Sequence, residues 1–152
     1  MKKSEKEIST NLVQKLVEKH YGIKGNATKL NGEVDFNFKI SANNSQYFLK
    51  VYNQSIDIEF TKFQENIFNK LDKTLEKKVY PKQLLNTKGN AISSFFDKNN
   101  RKRFFRLNSW IDGRLWSEAN PITNTLREKL GRSAGKLTKS LESLKIIDSN
   151  YN

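Results

Sequence analysis

The feature that most constrains this chain is where its apolar residues change period. At the start, Ile8, Leu12, Val13, Leu16 and Val17 recur at helical spacing, with Tyr21-Gly22 as a stop. That face predicts an N-terminal helix over residues 4–21. After a linker with Gly25 and Asn26, the period becomes two from Thr28. Val34, Phe36, Phe38 and Ile40 alternate with Asp35, Asn37 and Lys39, the pattern of a half-buried strand. Ala42-Asn43-Asn44-Ser45 makes a turn, because asparagine tolerates left-handed backbone angles. Residues 46–52 return as a second strand, with Tyr47, Leu49 and Val51 on one face and Phe48, Lys50 and Tyr52 on the other.

The period then reverts to helical. Ile56, Phe60, Phe63, Ile67 and Leu71 form one stripe in steps of four, three, four and four. Beyond Pro81, residues 83–87, 91–96 and 103–111 read as further strands, separated by the turns Lys88-Gly89-Asn90 and Asp97-Lys98-Asn99-Asn100. Asn120-Pro121 is a helix start, with Asn as cap and Pro at the first position. Leu126, Leu130, Leu137, Leu141 and Leu144 stripe the last helix. Strands do not alternate with helices as in a parallel sheet, so the fold class is α+β, an antiparallel sheet of about five strands with one central helix and flanking terminal helices.

At 152 residues the chain suits one ordinary core, for which ten Phe, five Tyr and two Trp supply material. No apolar run approaches the roughly 20 residues of a membrane span, and the charged start is not followed by the apolar stretch of a secretory signal. No membrane partner is expected. The absence of cysteine excludes disulfides and thiolate metal sites and fits a cytoplasmic location. A formal charge of +12 favours polyanions or a phosphorylated ligand. Lys, Asn and Ile are abundant throughout, which points to a compositional habit of the source rather than to nucleic acid.

The order of these elements is that of a kinase small lobe, and particular residues carry a resemblance. Leu30-Asn31-Gly32-Glu33-Val34-Asp35-Phe36-Asn37-Phe38 resembles the nucleotide-loop hairpin of the aminoglycoside phosphotransferase and choline kinase superfamily, above all its hydroxylysine-kinase-like branch. Tyr47-Phe48-Leu49-Lys50 resembles that family's third-strand lysine motif, and the segment from Phe63 to Leu71 its following helix. Phe105-Arg106-Leu107-Asn108-Ser109-Trp110-Ile111-Asp112-Gly113 is similar to the hinge, and the segment from Leu130 to Leu137 to the first large-lobe helix. The resemblance covers residues 28–145 and implies a small lobe over residues 1–112, then the hinge exit and one large-lobe helix over residues 113–152.

The resemblance assigns roles. Lys50 would reach the α/β-phosphates of ATP, since a strand holds a cation more rigidly than a loop. Gly32 would let the loop of residues 31–37, Asn37 included, approach the phosphates through backbone N–H groups. A helix carboxylate would hold the lysine; the family's acidic position falls on Gln64, with Glu65 beside it. Leu107, Asn108 and Ser109 would line the adenine edge, and Trp110 is either a wall of that pocket or core. No Walker motif and no complete GxGxxG is present.

Lys98, Arg101, Lys102, Arg103 and Arg106 crowd one turn and the next strand, with Phe104 and Phe105 between them. Such a hairpin tip normally carries solvated charges, so nucleic acid is not the expected partner. His20, the sole histidine, reads as a surface residue at a helix end. The superfamily's catalytic loop is His-x-Asp with a downstream Asn, then a metal-binding Asp. Beyond residue 113 the sequence offers only Asp148, with no histidine before it. The resemblance therefore implies a nucleotide-binding lobe without the catalytic base or Mg²⁺ ligands, both expected of a full-length enzyme acting on a small-molecule substrate. The rival readings are a basic nucleic-acid-binding module and a non-catalytic interaction domain.

Overall fold

The computed structural model describes residues 8–53, 57–74 and 80–143. They fall into two units, one within residues 1–58 and 83–110, the other within 59–82 and 111–152.

The first unit opens with α1 (Thr10–Tyr21). Ser9 sets its start: the backbone there is extended, and the Ser9 hydroxyl accepts from the Leu12 N–H at 3.2 Å. Gly22 ends it in the left-handed conformation, φ 67°, with its N–H donating to Glu18 O at 2.9 Å. Of the predicted helix, residues 4–7 lie outside the described residues.

Six antiparallel strands follow: β1 (Asn26–Leu30), β2 (Phe36–Ala42), β3 (Ser45–Val51), β4 (Gln83–Leu84), β5 (Ser93–Phe96) and β6 (Lys102–Ser109). Their order is β1-β2-β3-β6-β4, with β5 also paired to β6. The strand beyond the expected five is β1. It is an edge strand whose burial does not alternate cleanly, so the change to period two at Thr28 gives it no boundary of its own. Val34 is not part of β2 but stands 66% exposed in the preceding loop. β4 is shorter than residues 83–87 because Asn86 turns the chain: its carboxamide oxygen accepts from the N–H groups of Lys88 and Asn90 at 2.9 and 3.0 Å.

One face of this sheet is the core. Phe38, Ile40, Leu49, Val51, Phe105 and Leu107 are fully buried and cluster with Ile8, Val13, Leu16 and Val17 of the helix and its approach. The pairings Phe38↔Leu49, Leu49↔Leu107 and Val51↔Phe105 put these side chains in register. Each such burial is worth roughly 1.5–3 kcal/mol. His20 is drawn in as well. Its ring meets Phe105 edge-on at 5.1 Å, and it is half-buried rather than a surface residue.

Arg103 corrects another expectation. It is 1% exposed, and its Nε donates to Asp97 Oδ2 at 3.0 Å. Burial works to raise the Asp97 carboxyl. The Arg101 N–H, the Arg103 guanidinium, the Asn99 N–H and the charge of Arg101 outweigh it and hold the group well below the usual carboxylate range. Arg106 is buried too, so two of the five hairpin cations are not solvated.

The second unit contains α2 (Ile58–Thr74) from Glu59 onward, a 3₁₀ turn at Trp116–Glu118 and α3 (Asn124–Ser143). The expected cap at Asn120 is not used. Thr123 Oγ1 accepts from the Leu126 N–H at 3.2 Å, and the helix starts at Asn124. Leu130, Leu137 and Leu141 of the leucine stripe are exposed. Ile56, Leu144 and Asp148 lie outside the described residues.

Candidate functional site

The other face of the sheet is polar, and the strand register assembles it. Asn37, Lys50 and Arg106 form one cross-strand row; Lys39, Phe48, Asn108 and Gln83 form the next. Period two dictates this, since each of these residues alternates with a core residue.

Lys50 sits near the middle of the sheet on β3. Its Nζ lies 3.0 Å from Asp35 Oδ2, with the lysine 28% and the aspartate 19% exposed. The second oxygen of Asp35 accepts from the Asn53 N–H at 3.1 Å, two residues beyond the end of β3. The Tyr52 ring lies 5.8 Å from Lys50 Nζ and 5.7 Å from the Arg106 guanidinium carbon. Two cations thus share one partly dehydrated surface, where charges act more strongly than in water.

The loop over residues 31–35 is closed by its own side chains. Asn37 Nδ2 donates to Asn31 O at 3.4 Å. A Cβ at Gly32 would stand 2.5 Å from Asp35 O and 2.6 Å from Asn37 Nδ2, so only glycine fits that approach. Asn37 Oδ1 and Asn108 Oδ1 are buried without a hydrogen-bond partner among the described residues. Buried polar atoms left so are costly, and a bound polar molecule is one way to satisfy them.

Beyond the row, β6 leaves the sheet. Leu107 lies inside it, between Leu49 and Leu84, with its side chain in the core. The β4 ladder stops at Gln83↔Asn108, one residue short of Ser109. The Trp110 N–H donates to Gln46 O on the β3 side at 3.2 Å. By alternation the N–H and C=O of Ser109 point to the β4 side of the strand. Lys39 Nζ lies 4.5 Å from the Trp110 ring centroid, which sets that ring beside the polar face.

Lys50, Gly32, Asn37 and Ser109 therefore all lie in the first unit, around the polar face and its margin, whereas Leu107 is core. Glu65 and Gln64 are half-buried on α2, in the second unit. Sequence reasoning assigned no role to Asp35, Arg106 or the Asn108 side chain. The signal was strand parity: Asp35 lies two residues before Asn37, and Arg106 two before Asn108. Among the described residues no group of three or more His, Asp or Glu could hold a metal ion. No described helix is long and apolar enough to cross a membrane.

No protein-family profile matches the chain, and no curated protein matches it. Solved structures do resemble it. An amicoumacin kinase in complex with AMP-PNP, Ca²⁺ and Ami matches 95% of this chain with a TM-score of 0.76 at 17% identity. A microcompartment-associated aminopropanol kinase matches 86% with 0.65 at 16%. A spectinomycin phosphotransferase in complex with ADP and spectinomycin matches 88% with 0.62 at 17%. This chain spans 43%, 40% and 38% of those proteins, respectively. The likeness establishes the fold: an α+β kinase-like N-terminal lobe.

Proposed function

We propose that the chain is the ATP-binding lobe of an ATP-dependent small-molecule kinase, one that transfers a phosphoryl group to an alcohol of a hydroxylated or aminated substrate. The observation that carries this reading is Lys50, a fixed cation on a central strand beside a loop so tight that Gly32 admits no side chain. In this reading Lys50 takes the α/β-phosphates, the backbone of residues 31–37 covers them, and Ser109 offers its backbone to the adenine edge. Asn37 orders the loop. Residues 1–112 form the lobe and residues 113–152 begin the next one. Mg²⁺ would neutralise phosphate charge when bound. The nucleotide-binding residues named in this reading include no metal ligand and no general base, and the protein would work in the cytoplasm.

Calorimetric titration of ADP and of single-stranded oligonucleotide into the wild type and Lys50→Ala tests the proposal. Weak ADP binding that falls about tenfold or more in the variant is expected, the size of a lost charge-assisted contact. Oligonucleotide binding that falls steeply with salt and ignores Lys50 would establish the basic binding module instead.

A further inference from the structure

We infer that Asp35, on the nucleotide loop, is the residue that positions Lys50, so that in this lobe the counter-ion of the phosphate lysine comes from the loop itself. The inference rests on the nucleotide-site reading above and deepens it. Three observations carry it. First, Lys50 Nζ and Asp35 Oδ2 are 3.0 Å apart and both groups are mostly covered, so water screens the pair weakly. Second, Asp35 is itself fixed: its other oxygen accepts from the Asn53 N–H at 3.1 Å. A carboxylate held from both sides can fix a lysine rotamer, whereas one on a mobile side chain cannot. Third, the carbonyl of the same residue packs against Gly32, 2.5 Å from where a Cβ would stand, so the segment that sets the carboxylate also sets the phosphate-facing backbone.

The arrangement couples two parts of one site. Lys50 is tethered to β2 and β6 by its strand and to the loop by Asp35. Whatever orders the loop orders the lysine, and the reverse holds as well. Asp35 is thus a positioning residue, acting on phosphate through Lys50 and through the loop.

Two measurements on the full chain separate this inference from the reading beneath it. The first needs no nucleotide: the NMR signals of the Lys50 side chain, assigned by their loss in Lys50→Arg. Asp35→Asn keeps an oxygen for the Asn53 N–H and removes only the charge, and it should shift the Lys50 Nζ signal; Glu65→Gln should leave it in place. The second compares ADP with adenosine. Asp35→Asn should weaken ADP about tenfold with adenosine unchanged, and Asp35→Glu should restore part of the loss. A Lys50 signal that ignores Asp35→Asn, or follows Glu65→Gln, overturns the positioning role even if ADP binds. ADP binding unchanged in Asp35→Asn overturns it as well. If the signal moves but no variant or wild type binds ADP, the ion pair stands and the nucleotide reading falls, and with it the action of Asp35 on phosphate.

Discussion

The two faces of the sheet are made by the same strands and obey opposite rules. On the α1 face, Phe38, Leu49, Phe105 and Leu107 are sealed against Val13, Leu16 and Val17. On the polar face the same register lines up Asn37, Lys50 and Arg106, with two buried carboxamide oxygens lacking a partner among the described residues. The first face is an answer to the hydrophobic effect and is complete in itself. The second keeps charge and unsatisfied polar atoms in partly dry surroundings, a standing cost that stability alone does not explain.

The largest effect should come from breaking the first face. Phe105→Ala removes a fully buried ring that touches His20, Tyr21 and Phe95. A loss of about 3–5 kcal/mol is expected, read from denaturant unfolding. A middle effect belongs to the loop on the second face. Gly32→Ala must displace Asp35 O or Asn37, at about 1–3 kcal/mol of strain, and should lower ADP affinity while leaving the α1 face intact. A stable variant with native ADP binding would show that the close approach is incidental.

The smallest effect is set by pH and lies at the hairpin of β5 and β6. The Asp97 carboxyl is held below its ordinary range in the fold, so its contribution is present above that range and is lost as pH falls through the folded-state value. Asp97→Asn should therefore be less stable than the wild type near neutral pH, with the gap closing only in strong acid. Melting curves at several pH values check this; a constant gap would contradict the sign.

The contrast also explains what could be read from the sequence. The α1 face was legible because burial imposes periodicity: Ile8 to Val17 at helical spacing, and Phe36 to Ile40 and Tyr47 to Val51 at period two. Edge strand β1 was not legible, because half-exposed residues owe the core little. Lys50 and Gly32 could be picked out by type, one a strand lysine and the other a loop glycine. Asp35 could not, because its role depends on a meeting with Lys50 across two strands, and Arg106 was hidden among lysines and arginines of a turn. The cap at Thr123 was missed because Asn120-Pro121 is the stronger local pattern, and only the chain geometry shows that it precedes the helix.

Amide chemical-shift mapping during an ADP titration bears most directly on the central claim. If the polar face is the nucleotide site, the shifts should gather on residues 31–37, on Lys50 and on residues 107–110, leaving α1 nearly silent. Shifts centred on α1, or spread thinly over surface lysines, would contradict it.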